Sequence, residues 1–164
     1  MEKEQQRKLK AIVQAEKDSN RVIQLLEEHD TEVNLDGGTP LNHAINYDRI
    51  DIVKYLIGRG ANVNALYDND SPPLLSAIEN ENEEMIVLLI ENGADVNLQD
   101  GFGNDALFKA VFTRKLNIVK QIVNNGANPF AGNNPENYSS YDSARDLEAD
   151  EIVEYFESIR SKYQ

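Results

Sequence analysis

The chain has 164 residues, 40% of them hydrophobic, enough for one domain with a core of ordinary size. It has no cysteine, which excludes disulfides, thiolate chemistry and cysteine-ligated zinc, and its two histidines leave little for a histidine-rich metal site. The formal net charge of -13 works against binding nucleic-acid phosphate or anionic lipid and favours a basic partner. No apolar run is long enough to span a bilayer, and the opening MEKEQQRKLK is too polar for a secretory signal, so the expected location is the cytoplasm.

The first helix is expected over Gln5 to Ala15. Val22, Ile23, Leu25 and Leu26 carry the apolar face of a second, with Glu32-Val33-Asn34 as its exit. Thr39-Pro40-Leu41-Asn42-His43-Ala44 then has the grammar of a helix start. The Thr hydroxyl can cap free N–H groups, and Pro suits the first helical position, where no N–H partner is needed. After a polar break at Tyr47 to Arg49, Ile50, Ile52, Val53, Leu56 and Ile57 follow at helical spacing. Gly60 ends that helix because glycine takes the left-handed conformation without steric cost, and Ala61-Asn62-Val63-Asn64 leads into a polar turn.

The pattern then repeats. Leu41, Ala44 and Gly60 recur as Leu74, Ala77 and Gly93, and again as Leu107, Ala110 and Gly126, in steps of 33 residues. A looser fourth copy runs from Ser139 through Ala144, Ile152, Val153 and Phe156; its step from Ala110 to Ala144 is 34, and it has no glycine ending. The interval from Val33 to Thr39 is three residues shorter than that from Val63 to Pro72, so the first hairpin should be stunted.

Thr-Pro-Leu-x-x-Ala, then Ile-Val-x-x-Leu-Ile, then Gly-x-Gly-Ala-Asn-Val-Asn resembles the ankyrin repeat. The resemblance implies an all-α ankyrin-repeat solenoid of about five helix-turn-helix units with short β-hairpin loops, in a single domain over residues 1–164. Residues 1–34 would be the N-terminal cap, 35–67, 68–100 and 101–133 the internal repeats, and 134–164 the C-terminal cap, because the ends of a stack need polar outer faces. Two departures stand out. Where the family usually has glycine between its two helices, this chain has Asp48, Glu81, Arg114 and Glu148, which should leave those turns less relaxed. The family's histidine in Thr-Pro-Leu-His becomes Asn42, Leu75 and Phe108; Asn42 can still hydrogen-bond locally, whereas packing has to replace that bond at the other two.

The resemblance further implies a concave face made by hairpin tips and first helices. Here those are Tyr67 to Ser71 and Gln99 to Asn104, with Asn46 and Tyr47, Glu79 and Asn80, and Phe112 and Thr113 on the helices. Asp68, Asn69, Asp70, Asp100, Phe102 and Asn104 complete the expected contact surface. Aromatic side chains anchor binding and carboxylates select a basic partner. Between Arg59 and Lys109 there is no Lys or Arg at all, while Asp and Glu are frequent. The same features have plain structural readings: tip aspartates are good turn residues, Tyr67 can shield its hairpin, and Glu83 and Glu84 can answer a helix dipole.

Catalysis, metals and cofactors find no support. Gly101-Phe102-Gly103-Asn104-Asp105-Ala106 spells a dinucleotide fingerprint, yet the repeat register puts it at a hairpin tip rather than after a buried strand. Asp68-Asn69-Asp70 begins like a calcium loop but runs into Pro72 and Pro73. His29 and His43 have no nucleophile or ligand pair repeating near them. The expected function is recognition of a basic protein by a chain that is monomeric when unbound, without nucleic acid or membrane. Ankyrin proteins similar to this one occur among bacterial immunity proteins, so an inhibitor neutralising a toxin is the sharper form. A small-ligand receptor or enzyme accessory using a pocket between repeats, or a structural spacer, is the alternative.

Overall fold

The computed structural model describes residues 3–29, 35, 38–67, 70–132 and 137–164, the side chain of Gln5 excepted. Among them the regular elements are all helical: α1 (Lys3–Ala15), α2 (Ser19–Glu27), α3 (Pro40–Asn46), α4 (Ile50–Gly58), α5 (Pro73–Glu79), α6 (Glu83–Glu91), α7 (Ala106–Phe112), α8 (Leu116–Asn124), α9 (Ser140–Asp146) and α10 (Asp150–Ile159). A 3-10 turn over Arg160–Tyr163 closes the chain. Of the expected β-hairpins, the described residues keep only single bridges, Tyr67 with Ser71 and Gly132 with Ser139. Glu32-Val33-Asn34 lies outside the described residues. The result is an all-α repeat fold whose helices fall into two compact units, Met1–Ala94 with α1 to α6 and Asp95–Gln164 with α7 to α10.

Helices of seven to nine residues, such as α3 to α8, are too short to persist alone in water, so packing holds them. Local sequence decides where each begins. The Thr39 hydroxyl accepts the Asn42 N–H, and the Asn42 side chain accepts the Thr39 N–H at 2.9 Å, a reciprocal cap. Ser139 and Asp142 repeat the arrangement, Asp105 caps α7 through the Phe108 N–H, and at α5 Pro73 takes the first helical position instead. Each such cap is worth about 1 kcal/mol.

Between the paired helices, Asp48, Glu81, Arg114 and Glu148 all adopt φ between 52° and 57°. The left-handed region costs a side-chain-bearing residue roughly 1–2 kcal/mol, so these turns are strained, as their missing glycine implies. At the exit of the second helix, Gly60, Gly93 and Gly126 take φ of 87°, 89° and 105°. Positions two and four residues beyond each glycine repeat as well: Asn64, Asn97 and Phe130 donate their N–H groups to the side chains of Asn62, Asp95 and Asn128.

The core of the first unit is built from Val13, Val22, Leu26, Leu41, Ile45, Ile52, Leu56, Leu74, Ile78, Met85, Ile86 and Leu89, all essentially inaccessible. That of the second uses Leu107, Val111, Ile118, Val119, Ile122, Ile152 and Phe156. Each such side chain contributes roughly 1.5–3 kcal/mol by leaving water. Polar side chains then fix neighbouring repeats. Arg49 donates to the carbonyls of Val13 at 3.0 Å and Glu16 at 2.7 Å, and Arg59 to that of Leu26 at 2.8 Å, which fastens the N-terminal helices. Asn42 Nδ2 reaches the Ala65 carbonyl at 2.7 Å, so Asn42 bonds both within its cap and to its own hairpin. In the second unit Arg114 donates to the Leu147 carbonyl at 2.5 Å.

Candidate functional site

At the ends of the short first helices Tyr47, Glu79, Asn80 and Phe112 are exposed, whereas Asn46 and Thr113 are half-buried. In the first unit, Asn46 is half-buried at the end of α3 and Tyr47, its C-cap, is 51% exposed. One repeat on, Glu79 and Asn80 hold the same positions on α5, both exposed. Asn80 is partly committed, since its Nδ2 donates to the Ile45 carbonyl at 3.3 Å. Asp70 is exposed with φ of 56°, a conformation that Asp tolerates better than most residues. Asp68 and Asn69 lie outside the described residues.

The second unit corrects part of the expected surface. Asp100, read from sequence as an exposed tip carboxylate, is 8% exposed and organises its loop from within. Its Oδ1 accepts the N–H groups of Phe102 at 3.0 Å and Asn104 at 2.9 Å, its Oδ2 accepts the Asn104 side chain at 3.1 Å, and Lys109 Nζ stands 3.4 Å away. Burial opposes the charge, but these bonds and Lys109 together hold the carboxyl below its ordinary value of 3.8. Asn104 therefore also faces inward with its amide. The dinucleotide-like stretch is explained by the same geometry: backbone N–H groups that could cradle a phosphate are already filled by Asp100, and Gly103 supplies the positive φ of 84° the turn requires.

What this loop displays is Phe102, 71% exposed. Phe112, at the end of α7, is 54% exposed and leans on Phe108 with ring centroids 5.2 Å apart. Phe108, four residues earlier, was expected only to pack; the (i, i+4) spacing was the signal that it would back Phe112. Thr113 is turned in, its hydroxyl donating to the Ala110 carbonyl at 2.7 Å and accepting the Lys115 N–H at 3.2 Å. Leu66, 48% exposed beside the Tyr67 turn, was not anticipated, and an apolar residue in a loop gives no periodic signal that would reveal it.

Other sequence features have structural duties. The Tyr67 ring covers Gly38, where a Cβ would come 2.3 Å from ring atom Cδ2, and it meets the His43 ring edge-on at 5.4 Å. His43 is fully buried, with its Nδ1 3.5 Å from Gln14 Nε2. The His29 N–H donates to the Leu26 carbonyl at the end of α2. Asp105 is buried as the α7 cap. Glu83 and Glu84 occupy the first turn of α6, and Glu84 pairs with Lys54 at 2.8 Å. Glu79, Glu81, Glu83, Glu84, Glu91 and Asp95 are all exposed, so most of the acidity between Arg59 and Lys109 does face solvent.

Among the described residues no group of three or more His, Cys, Asp or Glu is placed to hold a metal ion, and no helix is long and apolar enough to cross a membrane. A hollow of about 200 Å³ is lined by Arg114, Glu148, Asp150 and Glu151, and another of about 480 Å³ by Ala11, Ile12, Glu16 and Lys17; neither involves His43 or Asp105.

Comparison with known families places two matches on the chain. A model described as ankyrin repeats (3 copies) covers residues 2–67, and one described as ankyrin repeats (many copies) covers residues 74–121, together well over half the sequence. A stretch of 56 residues, 32% of the chain, is 45% identical to part of alpha-latrocrustotoxin-Lt1a of Latrodectus tredecimguttatus. The match spans 4% of that protein.

Proposed function

The chain belongs to the ankyrin repeat family, whose members are generally protein–protein interaction modules rather than enzymes, and we propose on that premise that it binds a folded, basic protein partner. The observation that carries the proposal is the outward display of Phe102 and Phe112, large apolar side chains placed by a tight loop and a packed helix rather than by flexible segments. Rigid aromatic groups lose little entropy on binding and dominate interface energy. Tyr47, at the end of α3, is an exposed aromatic group of the first unit, and the exposed carboxylates Asp70 and Glu79 supply attraction to a basic surface.

In this reading residues 1–164 act as one domain, monomeric when unbound and working in the cytoplasm, and no cofactor, nucleic acid or membrane takes part. The mechanism is steric and electrostatic occlusion. Its sharper form is an inhibitor of the immunity type, whose carboxylates stand in for phosphate on a basic nuclease toxin. The net charge of -13 supports that form. The toxin relative does not, because a match over 4% of that protein carries no activity to this chain.

The test is co-expression with basic proteins encoded beside it, followed by affinity measurement across a salt series. Expected are a stoichiometric complex whose association slows as salt rises, and rescue of growth if the partner is toxic. Complexes that ignore salt, or no complex with any basic neighbour, would overturn it.

A further inference from the structure

One position of the repeat changes character at the end of the chain. Gly60, Gly93 and Gly126 turn each second helix outward with positive φ. The last step of the repeat is 34 residues, as from Ala110 to Ala144 and from Asp105 to Ser139, and the same step from Gly126 lands on Arg160. Arg160 stays right-handed helical, with φ of -53° and ψ of -36°, and α10 tightens into a 3-10 turn instead of turning out.

The Arg160 side chain is held on three sides. Its guanidinium carbon lies 4.4 Å from the Phe130 ring centroid and 4.6 Å from that of Tyr141, while Nε and Nη2 donate to the two oxygens of Glu157 at 2.8 and 3.0 Å. The Tyr141 hydroxyl donates to the same carboxylate. The Tyr163 ring meets Phe130 at 5.8 Å, and its hydroxyl donates to the Ala127 carbonyl at 3.2 Å. Phe130 comes from the loop after α8 and Tyr141 from α9, while Glu157 lies three residues before Arg160 on α10, so the cation ties the end of α10 to two earlier segments. Both rings lie well inside the roughly 6 Å reach of a cation–π interaction. A planar guanidinium satisfies two rings and a two-oxygen acceptor at once; an ammonium does not. Arg145, whose guanidinium carbon is 5.9 Å from the Tyr141 ring, is the other cation beside it.

We propose that Phe130, Tyr141 and Glu157 form a guanidinium-binding site, that Arg160 is its resident ligand, and that this pairing takes the place of the glycine turn in closing the last repeat. The inference holds whether or not the chain binds a basic protein.

The test uses the full chain and NMR. In the unaltered protein the Arg160 Cδ protons should resonate upfield of those of the other arginines, shifted by the two rings. In Arg160→Ala, millimolar ethylguanidinium should move the Phe130 and Tyr141 ring signals saturably and raise Tm, whereas ethylammonium should do neither. Ordinary Arg160 shifts in the unaltered protein, or equal responses to the two cations in the variant, would overturn the proposal. Should Arg160→Ala fail to fold, the Arg160 shifts and a parallel Arg160→Lys variant decide it: Lys should lower Tm despite keeping the charge, and an unchanged Tm would contradict the planar, two-point fit.

Discussion

The two units are written in one repeat grammar yet present different chemistry at matching positions. Where the first unit has Asn46 and Glu79, the second has Phe112; where it has Asn42 and Leu75, the second has Phe108. Leu74 and Leu107, by contrast, stand in the same register and are equally buried. Positions that hold neighbouring helices together are dictated by packing and therefore recur. Positions at the ends of the first helices are less constrained by packing, so the difference there, carboxylate and amide in one unit against paired aromatic rings in the other, is where, on the proposed reading, a partner is recognised.

The largest effects are expected at the shared positions. Leu74→Ala and Leu107→Ala should each cost about 2–5 kcal/mol in urea unfolding, with similar values, because each removes the same buried side chain from the same place in a repeat. Very unequal costs would mean that the two units do not share one scaffold. Next in size is the outward difference itself. Phe102→Ala with Phe112→Ala should weaken partner binding by about 2 kcal/mol or more. The same changes should alter folding stability by less than about 0.5 kcal/mol at Phe102 and by about 0.5–1.5 kcal/mol at Phe112, which loses its ring contact with Phe108.

Asp100 sets the second unit apart from within, because its buried carboxylate organises the loop that displays Phe102. Asp100→Ala leaves the Phe102 and Asn104 N–H groups without their side-chain acceptor and removes the carboxylate beside Lys109, and should cost about 1–3 kcal/mol. Because its carboxyl is held below its ordinary value, its contribution is fully present above that value and is lost as pH falls through the folded-state pKa. Acid titration of stability should therefore be shallower in Asp100→Asn than in the unaltered chain, and parallel curves would remove Asp100 from the account. Smallest of all, Glu81→Gly should stabilise the first unit by up to about 1 kcal/mol by relieving left-handed strain. Arg114→Gly at the matching turn of the second unit also removes the bond to the Leu147 carbonyl, and that loss should offset its relief of strain.

The repeat was legible because 33-residue periodicity, helix caps and exit glycines are local signals. Thr39 and Asn42 could be read as a cap from their spacing, and the strain at Asp48, Glu81, Arg114 and Glu148 from the missing glycine. The site was less legible because exposure is not a local property. Asp100 and Asp70 look alike as tip aspartates, but only Asp100 has a following Phe-Gly-Asn loop that wraps its N–H groups around the carboxylate. Arg160 could be placed in register with Gly126, but its neighbours Phe130 and Tyr141 come from distant segments and only packing brings them together.

On the proposed reading, aromatic anchors and carboxylates together select a basic protein. That selection is tested most directly by capture from native lysate with the unaltered chain and with Phe102→Ala/Phe112→Ala, each at low and high salt, with retained proteins identified by mass. One basic protein should be held by the unaltered chain at low salt, released at high salt and missing from the variant. Equal retention by both chains, or retention indifferent to salt, would contradict it.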